Sequence, residues 1–111
     1  MGARAGRVGR MPTEVTENAE RNRYEITLDG TLLGFAQYRD MGETRVFTHT
    51  EVFPEYEGNG VGTALISAAV ADVQARSLSL VALCPFVDAY LRDHPELADL
   101  VDAKLDVRLR D

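Results

Sequence analysis

Apolar residues alternate with a period of two in the first half of the chain and with a helical period in the second. Order is expected from Arg23, because residues 12–22 are polar and acidic and read as a loose lead-in. Tyr24-Glu25-Ile26-Thr27-Leu28 alternates strictly, Asp29-Gly30 is a strong hairpin signal, and Thr31 to Tyr38 supplies the returning strand. Arg39 to Glu43 reads as a turn. Thr44 to Phe53, rich in β-branched and aromatic residues, reads as a third strand, closed by Pro54, which has no N–H for a ladder.

Past that proline the period changes. Glu55 to Gly62 (EYEGNGVG) is a glycine-rich loop. From Val61 to Arg76 the spacing predicts a helix with Leu65, Ala69 and Val73 on one stripe beside Ile66 and Val70. Ser77 to Cys84 (SLSLVALC) reads as a buried strand and Pro85 to Asp93 as a short helix. Pro95 suits the first position of another helix, with His94 before it. Lys104 to Asp111 reads as a short terminal strand or a tail. The third strand and Leu78–Cys84 are expected to lie parallel across a right-handed crossover. The fold class expected is α/β (α+β), with a mixed, mostly antiparallel sheet, a long helix after the glycine loop and short C-terminal helices.

Composition narrows the functions open to such a fold. With 111 residues the chain holds one core, and 45% hydrophobic with 27% charged residues is globular composition. Cys84 is the single cysteine, so no internal disulfide forms, and one cysteine with two histidines makes no zinc pattern. No apolar run approaches the ~18 residues of a membrane span. The net charge of −6 argues against a nucleic-acid groove. Arg4, Arg7 and Arg10 stand in an acid-free start without an apolar signal core; beyond them 9 basic residues face 18 acidic ones, a net of −9. Residues 1–22 are expected to be a flexible leader, residues 23–111 the domain, and the location cytoplasmic.

The loop Gly58-Asn59-Gly60-Val61-Gly62 enters a helix directly. Its glycines let successive amides face outward, and the helix end adds partial positive charge, which suits a diphosphate. A Walker loop needs a lysine that is absent here. A Rossmann fingerprint needs a third glycine where Leu65 stands, or Thr63 if counted from Gly58. A coenzyme A loop and a plain strand-to-helix turn remain open.

The stretch from His49 to Leu100, HTEVFPEYEGNGVGTALI followed by LCPFVDAYLRDHPEL, resembles the small stand-alone GNAT-type N-acetyltransferase domains, and weaker likeness runs back to Arg23. The resemblance implies a reduced GNAT-like fold, acetyl-CoA or coenzyme A as cofactor, and transfer of acetyl to a primary amine. It implies that backbone around Glu51 and Val52 pairs with the pantetheine arm, and that Gly58, Asn59, Gly60, Val61, Gly62 and Thr63 hold the diphosphate. Glu57 stands where the family usually has Gln or Arg. The usual pair of helices after the first strand is absent, which leaves an open or unusual acceptor site. The family also places a tyrosine after this strand as the acid for the departing thiolate, a role that falls on Tyr90.

Three further residues are candidates on their own chemistry. Cys84 closes a strand where ligands gather in open sheets, so it is an acyl acceptor, a wall of the thioester pocket, or a small buried hydrophobe. Glu51 and His49 share one face of the third strand, and either could act as general base. His94 is most simply a helix-start residue. Two functions compete: an N-acetyltransferase acting on a small-molecule or peptide amine, and a coenzyme A or acyl-CoA binding module with little or no transfer. A plain structural domain is the third reading. The acidic surface suits a cationic acceptor, with no nucleic acid, no membrane, and a monomer or weak homodimer expected.

Overall fold

A computed structural model of the chain describes residues 13–110. Five strands lie in sequence order: β1 (Thr13–Asn18), β2 (Arg23–Leu28), β3 (Thr31–Met41), β4 (Thr44–Val52) and β5 (Ser79–Ala82). The first four are antiparallel, and β5 runs parallel to β4. Helix α1 (Val61–Ala75) makes the crossover, α2 (Pro85–Arg92) follows β5, and α3 (Ala103–Arg110) ends the described chain. This is the mixed, mostly antiparallel α+β sheet expected from the sequence. Among the described residues no helix is long and apolar enough to cross a membrane.

The hairpins are set by local chemistry. Asp29 and Gly30 both take positive φ, 51° and 83°, which matches the right-handed twist of β2 and β3. The next turn is shorter than expected: β3 continues to Met41, and only Gly42 (φ 63°) and Glu43 lie between it and β4. Helix α1 lays Leu65, Ile66, Ala69, Val70 and Val73 over Ile26, Ala36, Phe47 and Leu80, and all are buried. That is the core stripe predicted from the helical period.

Two expectations are overturned. Residues 13–18 are not part of a loose leader. They form β1, paired with β2 from Thr13 opposite Leu28 to Asn18 opposite Arg23. Residues 1–12 lie outside the described residues. The strand is fastened by charge as much as by apolar contact, so hydrophobic alternation does not reveal it. Glu17 accepts from the Tyr38 hydroxyl, from Arg45 at 3.2 Å and from Arg76 at 2.8 Å. The C-terminal segment is helical, not a strand or tail. Asp102 caps it by accepting the Leu105 N–H at 3.1 Å, and Asp106 pairs with Arg110 one turn on at 2.6 Å.

Arg45 gathers the clamp around Glu17. It is 5% exposed, forks onto Asp40 at 2.8 and 2.9 Å, and stacks 3.9 Å from the Tyr38 ring centroid. It donates to the Tyr24 hydroxyl at 2.8 Å, which in turn donates to Asp72 of α1 at 2.6 Å. The hydrogen bonds from Arg45 to Asp40 hold its guanidinium above the usual arginine range, despite its burial. Burial and the bond to Glu17 push the Tyr38 phenol up to about 12. For Asp72 burial raises the pKa, but bonds from Tyr24 and Arg76 outweigh it and hold the carboxyl below its ordinary value. The groups with the largest perturbations therefore tie β1, β2, β3 and β4 to α1, away from the glycine loop.

Candidate functional site

The site begins where two parallel strands part. The Leu83 N–H to Phe47 carbonyl bond, 2.9 Å, is the last rung between β4 and the chain leaving β5. At that level Thr48 is an extra residue: Tyr38 opposes Phe47, while Gln37 opposes His49. Beyond this bulge β4 runs on to Val52 with β3 on one side only. Phe53 donates to the Leu33 carbonyl at 2.9 Å, so Glu51, two residues back, also turns its backbone to β3. Thr50 and Val52 therefore turn their amides and carbonyls into the gap, as an edge strand does.

The loop meets the gap at one end. A single 3₁₀ turn, Pro54–Tyr56, leads to Gly58 and Gly60, whose φ angles of 87° and 75° are costly for any residue with a Cβ. Gly60 is the N-cap of α1, and no side chain caps that helix. The first helical bond runs from Ala64 N–H to Gly60 O at 3.0 Å, which leaves the amides of Val61, Gly62 and Thr63 unpaired within the helix. A cleft of about 320 Å³ lies over these amides, with Val52, Tyr56, Glu57 and Gly58 on one side and Phe86 on the other. The donor set fits a diphosphate: several amides, a helix end and no bulk in the way.

Phe86 divides this cleft from a second of about 200 Å³ between α1 and α2, which Ile66, Tyr90, Asp93 and His94 line. Its ring packs on Gly62 so closely that a Cβ there would stand 2.3 Å from Phe86 Cε1.

The expected site residues fall in four places. Val52, Gly58, Gly60, Val61, Gly62 and Thr63 line the first cleft; Asn59 does not. Cys84, 4% exposed, is the N-cap of α2, and its sulfur lies 3.3 Å from Thr50 Oγ1 inside the gap. Tyr90 lines the second cleft, stacked on His94 at 4.1 Å between centroids. His94 also contacts the Tyr90 carbonyl through Nδ1 at 2.8 Å. Glu51 lies on the sheet face turned away from α1, 3.4 Å from His49 Nε2. Cys84, Tyr90 and Glu51 therefore occupy three separate places, and no hydrogen bond joins any two of them.

Three residues escaped sequence reasoning: Thr50, Tyr56 and Phe86. The alternation of β4 could have flagged Thr50 as the neighbour of Glu51 that turns inward. Nothing local marks Tyr56 or Phe86, because their roles come from the approach of the loop and α2.

Comparison with known proteins agrees with this fold. The sequence profile described as "GCN5-related N-acetyl-transferase" matches residues 23–100. The chain is similar to the solution structure of a GCN5-like protein from Staphylococcus aureus, described as a candidate N-acetyltransferase. Identity is 26%, the TM-score 0.61, and the match covers 79% of this chain and 86% of that one. It is also similar to the crystal structure of a ribosomal-protein-alanine N-acetyltransferase from Brucella melitensis biovar Abortus 2308. There identity is 28%, the TM-score 0.52, and coverage is 68% of this chain and 59% of that one. No protein of curated function matches. The chain belongs to the GCN5-related N-acetyltransferase family.

Proposed function

We propose that the protein transfers an acetyl group from acetyl-coenzyme A to a primary amine. The observation that carries this is the continuity of the unpaired amides of Val61, Gly62 and Thr63 with the unpartnered backbone of Thr50 and Val52. One end takes a diphosphate, and the other takes an extended amide-bearing arm as an added strand. Acetyl-coenzyme A has both features and supplies an activated acyl group as a thioester. Glu57 lines the same cleft, so the diphosphate is held by amides against a neighbouring carboxylate.

The roles follow from position. The arm would lie along Thr50 and Val52, which brings the thioester toward Cys84 and Thr50. An amine arriving over the far face of the sheet meets Glu51, which takes the ammonium proton directly or through water. The nitrogen lone pair attacks the carbonyl carbon, the C–S bond breaks, and the second proton that the nitrogen sheds passes, directly or through a relay, to the departing coenzyme thiolate. Tyr90 is on α2 but faces the second cleft, so its acid role requires the coenzyme thiol to reach that side.

The test is calorimetry with acetyl-coenzyme A, followed by measurement of free thiol release against a panel of amines. Binding with amine-dependent thiol release is expected. Binding without release to any amine would leave a coenzyme-binding module, and no binding at millimolar ligand would remove both readings.

A further inference from the structure

The face of β2, β3 and β4 turned away from α1 is open around His49 and Glu51, whose side chains are 56% and 47% exposed. Phe35 stands in its middle. It pairs directly with Glu25 on one side and Glu51 on the other, so the ring lies in a row between two carboxylates. Those carboxylates are not equivalent. Glu25 accepts from Arg23 Nε at 2.8 Å and Asn18 Nδ2 at 3.1 Å, so its charge is matched. Among the described residues Glu51 has His49 at 3.4 Å and no arginine or lysine. Arg23 is engaged twice, by Glu25 and by the Phe35 ring 4.5 Å from its guanidinium. Two rings also neighbour it: His49 at 6.0 Å and Phe53 edge-on at 6.2 Å.

An unmatched carboxylate beside an aromatic floor recognises an ammonium carried on an apolar or aromatic body. We infer that the acceptor is a protonated arylalkylamine, its ammonium at Glu51 and its ring against Phe35 and Phe53. A polyamine needs a series of free carboxylates, and this row has one. An α-amino acid needs a cation for its carboxylate; Arg23 is committed, and Arg39 lies four residues, about 13 Å, farther along β3. The inference rests on the acetyl-transfer reading above and narrows its acceptor.

Chemical-shift titration of the labelled full chain tests it without relying on turnover. Phenethylamine, propylamine, spermidine and phenylalanine are added in turn, and acetyl-coenzyme A separately. Phenethylamine is expected to move the resonances of Phe35, His49 and Glu51 and to bind about tenfold more tightly than the other three. Phe35→Leu should weaken phenethylamine several-fold and leave propylamine unchanged, while Glu51→Gln weakens both. Equal affinities, a preference for spermidine or phenylalanine, or no effect of either variant would overturn the inference. Concentration-dependent shifts at the same residues without any amine would assign the face to a second copy of the chain, and also overturn it. Shifts at Gly58–Thr63 with acetyl-coenzyme A but none at Phe35 with amine would defeat the acceptor class alone. Selective phenethylamine binding without any response to acetyl-coenzyme A would keep the ligand class and remove the reaction.

Discussion

The hydroxyl of Thr50 and the thiol of Cys84 lie 3.3 Å apart across the gap between β4 and the turn into α2. Pro85 follows Cys84 at the first helical position and has no N–H, and no side chain caps the helix. Cys84 is 4% exposed and its sulfur meets Thr50 where the coenzyme arm would end, so it acts as a wall of the thioester pocket while the amine attacks the thioester directly. Rapid quench and mass spectrometry after mixing with acetyl-coenzyme A should find Cys84 unmodified, and transfer should persist in Cys84→Ala. An acetyl adduct on Cys84 that forms and decays with turnover, together with loss of transfer in Cys84→Ala, would show transfer through the cysteine instead.

Gly62 meets both the helix-end amides and Phe86. Gly62→Ala places a methyl group 2.3 Å from Phe86 Cε1, and the ring must swing away. Phe86 is 43% exposed, so the swing is cheap and the stability cost should stay below about 1 kcal/mol. The methyl would still crowd the amides beneath a diphosphate, so affinity for acetyl-coenzyme A should fall about tenfold, or ~1.4 kcal/mol. Calorimetry on Gly62→Ala and on Gly62→Ala/Phe86→Ala separates the two effects. Recovery of full affinity in the double variant would mean that the displaced ring, not the crowded amides, caused the loss.

Much of this architecture is legible in the sequence, and the gaps have physical causes. Asp29-Gly30 announces its hairpin because only a few residue pairs tolerate two positive φ angles in succession. The stripe Leu65, Ala69, Val73 announces α1 because burial follows helical period. β1 is missed because Glu17 turns inward to meet Arg45 and Arg76, so a half-buried acid stands where the pattern demands an apolar residue. α3 is missed because Leu105, Val107 and Leu109 alternate like a strand, and its start depends on Asp102, which also accepts from Thr44 at 2.6 Å. In the site, the glycine loop is readable from local conformation, whereas Thr50 and Phe86 matter through distant partners that no local pattern encodes.

Gly34 holds the opposite side of β4. A Cβ there would stand 2.5 Å from the Glu51 carbonyl oxygen and 3.1 Å from Val52 Cα, both backbone atoms that cannot yield without moving the strand. Gly34→Ala should destabilise the fold by about 1–3 kcal/mol, the range for overpacking. It should also shift Glu51 and the outward amide of Val52. Denaturant titration reads the first effect, and chemical shifts of Glu51 and Val52 read the second. An unchanged midpoint with unchanged shifts would mean that β3 and β4 separate freely at this level.

The Arg45 clamp predicts how stability depends on pH. Asp72 and Glu25 have folded pKa values below their unfolded ones: for Asp72 the bonds from Tyr24 and Arg76 outweigh burial, and for Glu25 the bond from Arg23 dominates. Their contribution is complete above an unfolded value of about 4 and is lost as pH falls through the lower folded values. Tyr24 and Tyr38 have raised folded values, chiefly from burial, so their contribution is complete below about 10 and declines as pH rises past it. Stability should therefore be flat from about pH 5 to 9 and fall at both ends. Arg45→Met strips Asp40 of its cation and leaves Glu17 and Asp72 with Arg76 alone, and should cost about 3 kcal/mol at neutral pH. Acid that protonates Asp72 removes its pair with Arg45 from the unaltered protein as well, so the variant's deficit should shrink below pH 4. Urea midpoints of both proteins across the range check this. A deficit that stays constant into acid would show that the packing of Arg45 on Tyr38, not its charge, holds β1 and α1 to the sheet.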